Sequence, residues 1–296
     1  MSGVMLLTLA GCEKTNEELA SEPAAAAEAA VLEDGSGDPD STGGGGNGLG
    51  LGLDNVDMGT ADLEQLDCPT IMQGDSETAD IVGVTVGMSA TMAYQRIACS
   101  NPALTVTMTN EAGFEMPRLP DGTKPMSLIK ADGGQEEFTV WLAGKPNEER
   151  VIALRRELTF GSGHEPPTST LVQQLADKYG TLTVNRYNGD EGGVVRTADN
   201  RLLTDNSNTL FSRCLPDDRG SISINDTCGL SVGVAVKPKR ENKDLVDKLT
   251  VTITHGKYGQ RLLGEYRDFA ANAEAQQRQS ELEAAEQRAT TDAPAL

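Results

Sequence analysis

From Glu13 to Asp67 the chain carries fourteen carboxylates against the single base Lys14, and it contains no aromatic residue. The same stretch holds the alanine run Ala24 to Ala27 and the glycine-rich tract Gly43 to Gly52. So little apolar surface cannot offset the entropy of an ordered chain, and like charges repel, so residues 13–67 are expected to form a disordered, extended linker. Within it, residues 16–32 are rich in Ala and Glu and keep a transient helical propensity. Foldable sequence is therefore confined to about residues 68–270, with a polar, helical or frayed tail over 271–296.

Of the formal charge of -20 over 296 residues, this linker holds -13 and the remainder only -7. The charge thus describes how the chain is mounted more than what its folded part binds. An acidic balance repels phosphate backbones, so no nucleic-acid partner is expected. No apolar run approaches the ~18 residues of a membrane-spanning helix, which excludes an integral membrane protein.

The opening Val4-Met5-Leu6-Leu7-Thr8-Leu9-Ala10-Gly11-Cys12 is a short apolar run ending in small residues, the pattern of a secretory signal. Leu9-Ala10-Gly11-Cys12 resembles the lipobox of bacterial lipoproteins. That resemblance implies a lipoprotein signal segment over residues 1–12 that is cut before Cys12, and acylation, palmitate included, of Cys12 as the new N-terminal residue. A basic leader is missing and the run is short, so translation is expected to begin upstream of Met1. The resemblance places the protein in the cell envelope with its folded region exported, and Glu13 leaves inner and outer membrane open. Two acyl chains anchor stably, and a flexible linker of about 55 residues reaches roughly 40 Å from the lipid.

After Cys12 there remain Cys68, Cys99, Cys214 and Cys228. An even number in an exported chain favours two disulfides, and four cysteines allow three connectivities. The sequential pairs, Cys68 with Cys99 and Cys214 with Cys228, each stay within one local block and are preferred. No CxxC or HxxxH spacing supports zinc, and no His or Lys adjoins these thiols to activate one for catalysis.

Between Cys68 and Phe269 short apolar bursts alternate with turn formers. Ile81 to Val86, Leu104 to Met108, Phe138 to Leu142, Arg150 to Phe160, Ser221 to Ile224, Leu230 to Val236 and Leu249 to Thr254 read as strands. The third and fourth are joined by the turn Gly144 to Asn147. Ser89 is placed to cap a helix over 90–99 with Met92, Ile97 and Cys99 inward. Thr168 is placed to cap a second over 169–179, with Leu171, Val172, Leu175 and Tyr179 as its apolar stripe and Gly180 as its stop. Residues 262–289 read as a solvated helix or a frayed tail. Helices preceding groups of strands indicate an α+β class with antiparallel sheet and disulfides. The second helix either opens a related helix-plus-strands unit or closes one larger domain.

Val86-Gly87-Met88-Ser89 ahead of a short helix resembles the opening of small envelope lipoproteins with the β-lactamase-inhibitor-protein-like fold. The resemblance spans about a dozen residues and transfers no binding residue.

Catalytic patterns find little support. Ser127-Leu128-Ile129-Lys130 matches the S-x-x-K element of penicillin-recognising enzymes, and Ser223-Ile224-Asn225 resembles their S-x-N element. Ala131 to Gly134 would break the required helix, however, and Lys257-Tyr258-Gly259 is no K-T-G. His164 and Glu165 sit in a Pro-rich loop where a solvated turn competes with proton transfer or metal binding. Asp190-Glu191 and Asp217-Asp218 lack the spacing of a calcium loop. No catalytic residue, metal or cofactor is therefore assigned. The expectation is a membrane-anchored envelope lipoprotein, non-catalytic, that binds an envelope protein or cell-wall partner. The alternative is a cell-envelope hydrolase using His164, Glu165 and His255.

Overall fold

The computed structural model describes residues 79–110, 113–185, 190–216, 222 and 224–291. Cys12, the acidic linker, Cys68 and the Asp217-Asp218 pair lie outside the described residues. The class is α+β with antiparallel sheet.

The described chain opens on a hairpin of β1 (Asp80–Ile81) and β2 (Val84–Thr85). Helix α1 (Ala90–Ser100) leads into a meander of β3 (Thr105–Thr109), β4 (Leu128–Asp132), β5 (Glu136–Ala143) and β6 (Arg150–Thr159). Helix α2 (Thr168–Tyr179) then precedes β7 (Thr183–Val184), β8 (Glu191–Arg196), β9 (Leu202–Leu203), the short α3 (Thr209–Cys214), β10 (Leu230–Pro238) and β11 (Val246–His255). The chain continues into α4 (Gly256–Thr291).

The large sheet runs β3-β4-β5-β6-β11-β10-β8-β7, with β9 also paired to β8. Two helix-plus-meander halves thus meet where their last strands pair, from Lys248 opposite Thr159 to Thr254 opposite Ala153. The second helix opens a second helix-plus-strands run, and that run joins the first in one continuous sheet over a shared core.

Side-chain alternation assigns the faces. Leu154 and Leu158 of β6, Leu249, Val251 and Ile253 of β11, and Val232, Val234 and Val236 of β10 belong to the main core with the β1–β2 hairpin, α1 and α2. On α1 the buried stripe is Ala90, Ala93, Tyr94, Ile97 and Ala98, the i, i+3, i+4 pattern. Met92 falls off that stripe and is 48% exposed, correcting its inward assignment. Ser89 does cap α1, its hydroxyl accepting the Met92 N–H at 3.4 Å.

On α2 Leu175 is buried and Leu171 and Tyr179 pack beside the core, but Val172 is 40% exposed. Thr168 is the first helical residue and makes no cap bond. Its hydroxyl instead donates to the Lys243 carbonyl at 3.2 Å, fastening the helix start to the loop before β11. Gly180 ends the helix with φ 97°, a left-handed conformation that a side chain would strain.

The opposite face is covered in two places. The β5–β6 register slips between Trp141 and Leu142, leaving Ile152 without a cross-strand partner. This bulge turns Ile152 into a cluster with Leu263, Tyr266 and Ala270 of α4. Helix α3 brings Phe211 and Cys214 against Val195, Leu203 and Cys228. Beyond Ala273 the α4 side chains described are all exposed, so the polar tail read from sequence is a continuous helix that starts earlier, at Gly256.

Candidate functional site

Under α2, where β6 and β11 pair, lies a cavity of about 170 Å³. Its floor is apolar: Leu158 from β6, Leu249 and Val251 from β11, Leu171 and Leu175 from the helix, and Ile81 from the hairpin. Its polar side is formed by Arg156, Gln174, Lys178 and Tyr179, and Val82 completes the wall. Among the described residues no carboxylate lines it.

Arg156, Lys178 and Tyr179 are each held in place by named contacts. Strand alternation carries Arg156 onto the buried face between Leu154 and Leu158. Its Nε donates to Glu136 Oε1 at 2.7 Å, its Nη2 meets the same oxygen at 2.6 Å, and its guanidinium lies 5.6 Å from the centre of the Phe138 ring. These contacts fix the planar group and leave Nη1 without a hydrogen-bond partner among the described residues. Lys178, in the last turn of α2, donates to Asp80 Oδ2 at 3.3 Å and sits 5.3 Å over the Tyr179 ring. Asp80 is itself buried, and its Oδ2 also accepts the Gly83 N–H at 2.9 Å, which organises the hairpin turn. The Tyr179 hydroxyl donates to the Asp80 carbonyl at 2.9 Å. Burial, with Asp80 nearby, pushes the Tyr179 phenol well above its ordinary pKa, so it remains a donor.

Val82 occupies left-handed space at φ 48° and Gly83 follows at φ 77°. The stretch read as one strand over 81–86 is therefore a two-residue turn between two short strands. Two successive positive φ values match the right-handed twist of a hairpin, but a β-branched residue is costly at the first of them.

The residues singled out from sequence are dispersed. His164 is exposed, its N–H closing a turn to the Gly161 carbonyl at 2.9 Å. Glu165 accepts the Gly163 N–H at 2.7 Å and pairs with Lys239. The Lys239 ammonium, then local backbone N–H groups, hold its carboxyl down to about 2. His255 lies at the far end of β11, since the loop after His164 bridges Pro167 to Leu245 at that strand's start. A strand of ten residues spans roughly 30 Å, so the loop of His164 and His255 lie towards opposite ends of β11. His255 Nδ1 accepts the Tyr258 N–H at 3.3 Å, capping α4. Burial, then Lys257, lowers its pKa.

Ser127 and Lys130 bracket the start of strand β4, so the one-turn helical spacing that S-x-x-K chemistry needs is absent. Of the expected strand 221–224, the described Ile222 and Ile224 lie in no strand. Glu191 opens β8 and accepts from Asn185 Nδ2 at 2.9 Å, so it is a strand residue and not part of a calcium turn. Among the described residues no group of three or more His, Cys, Asp or Glu side chains could hold a metal ion. Cys214 and Cys228 form a disulfide with a Cα–Cα distance of 5.4 Å. Cys99 is also disulfide-bonded, and its expected partner Cys68 lies outside the described residues.

Sequence reasoning passed over Arg156, Gln174, Lys178 and Val82 as functional residues. A cation between two leucines at strand spacing was the available signal for Arg156. Nothing local marked the other three, because their meaning comes from segments about 75 to 95 residues apart that pack together. No protein-family model matches the chain, and no curated protein or solved structure is significantly similar to it.

Proposed function

We propose that this chain is an exported, lipid-tethered binding protein of the bacterial cell envelope. Lipid on Cys12 anchors it, the acidic linker holds its disulfide-bonded domain clear of the membrane surface, and that domain binds an envelope component without catalysis. The observation that carries the binding role is the cavity under α2, which has an apolar floor and fixed hydrogen-bond donors on one side, with the nearby carboxylates Glu136 and Asp80 engaged by those donors from behind and outside its lining. Signal-like residues 4–12 and the paired cysteines support export. Among the described residues no helix is long and apolar enough to cross a membrane, so lipid attachment is the means of anchoring this reading requires.

Fractionation of cells expressing the chain tests the tether. Cys12→Ser should move the protein from the membrane to the soluble fraction, and continued membrane association would overturn the reading. Crosslinking in intact cells should capture a defined envelope partner. A purified protein that turns over an envelope substrate would replace this reading with the hydrolase one.

A further inference from the structure

The geometry points to a ligand class for the cavity under α2: a small monocarboxylate with a short aliphatic body. This inference rests on the proposed binding role and concerns what fills the site.

Three observations converge on it. First, in a folded part that is acidic overall, the cavity is lined by two cations and no carboxylate. Second, both cations are already partnered from behind, Arg156 by Glu136 and Lys178 by Asp80. The site therefore offers oriented N–H donors with little net positive charge. Arg156 Nη1 and the remaining Lys178 protons suit one carboxylate, which accepts two donors at once. A dianionic phosphate would bring more charge than the partnered cations can neutralise, and an amine would meet donors with no acceptor. Third, the rest of the lining is aliphatic, from Ile81, Leu158, Leu171, Leu175, Leu249 and Val251. At about 170 Å³ the space is below the roughly 300 Å³ at which drug-sized pockets begin, so the apolar body must be short. In the bound state the carboxylate faces Arg156 and Lys178 at the open side, and the tail lies along Leu158 and Leu249.

Heteronuclear NMR on the full chain tests this with sodium octanoate, octylamine and octan-1-ol at matched concentrations below micelle formation. Octanoate should shift the amide resonances of Val82, Gln174, Lys178 and Tyr179 saturably, and octylamine should not. Octan-1-ol, which keeps the tail and loses the charge, should bind about tenfold more weakly or worse. Arg156→Met and Lys178→Met should each weaken octanoate about tenfold; Lys178 is exposed on the helix and its loss leaves Asp80 the Gly83 N–H bond, and an unchanged amide spectrum away from the cavity shows that the fold is kept. Absence of saturable octanoate shifts at these residues, equal binding of octylamine, or wild-type octanoate affinity in both variants would overturn the assignment. None of these results bears on the fractionation of Cys12→Ser, so the ligand class and the tethered role fail separately.

Discussion

The Tyr179 hydroxyl donates to the backbone carbonyl of Asp80 across 99 positions of sequence, at 2.9 Å. This bond and the Lys178–Asp80 ion pair are the polar ties between the end of α2 and the N-terminal hairpin, and the cavity lies between them. Tyr179→Phe keeps the ring and removes the donor, leaving a largely buried carbonyl unpaired. The expected loss is about 1–2 kcal/mol by urea denaturation. A change within about 0.3 kcal/mol would mean that water replaces the hydroxyl and that the hairpin is held by other contacts.

Val82 is expected to be a site where stability and binding oppose each other. A β-branched side chain in left-handed space costs roughly 1–2 kcal/mol, and Asn before Gly is the favoured pair for such a turn. Val82→Asn should therefore raise the unfolding free energy by about 1 kcal/mol while removing an apolar wall of the cavity and weakening octanoate. A variant both less stable and unchanged in binding would show that Val82 serves packing alone.

What could be read from the sequence followed from local patterning, and what could not depended on distant segments. Alternation located β3, β5, β6, β10 and β11, and Ser89 and Gly180 marked helix ends because capping chemistry is local. The hairpin at Val82 was hidden because its turn lacks the usual Asn-Gly signal. Strand β8 was hidden by Gly192-Gly193, since paired glycines carry no apolar alternation. There glycine answers a packing need, since a Cβ on Gly193 would lie 2.2 Å from the Val232 carbonyl oxygen. Helix α3 is too short for periodicity to show, and β4 opens on two adjacent apolar residues, Leu128 and Ile129, which breaks the alternation that marks a strand. The cavity was invisible for a different reason: Val82, Arg156, Lys178 and Leu249 become neighbours only when β6 and β11 pair and α2 folds over them.

The Cys214–Cys228 bond closes a loop with a sequence separation of 14 and ties α3 to the start of β10. In the chain-entropy model a loop of this size contributes about 3 kcal/mol. Replacing both cysteines by Ala should lower stability by about that amount. Hydrogen exchange should accelerate first in α3, whose small cluster of Val195, Leu203, Phe211 and Leu215 stands apart from the main core. If exchange rises equally in β6 and β11, the bond stabilises the domain globally and not through α3.

His255 gives the fold a pH dependence whose sign follows from its role as a cap. Nδ1 can accept the Tyr258 N–H only when it is unprotonated, and burial lowers the folded-state pKa below the ordinary 6.5. The unfolded chain therefore takes up a proton more readily than the folded one as pH falls through about 6.5, and stability present above that pH is lost below it. The expected loss between pH 7.5 and 5.0 is about 1 kcal/mol, the usual worth of a helix cap. Glu165, held at about 2 by Lys239, contributes its own loss only below pH 4.5, outside this window. His255→Asn supplies a side-chain acceptor at every pH, so urea denaturation of this variant should show a flatter profile from pH 7.5 to 5.0. An unchanged slope would assign the dependence to other groups and leave the α4 cap without a titrating role.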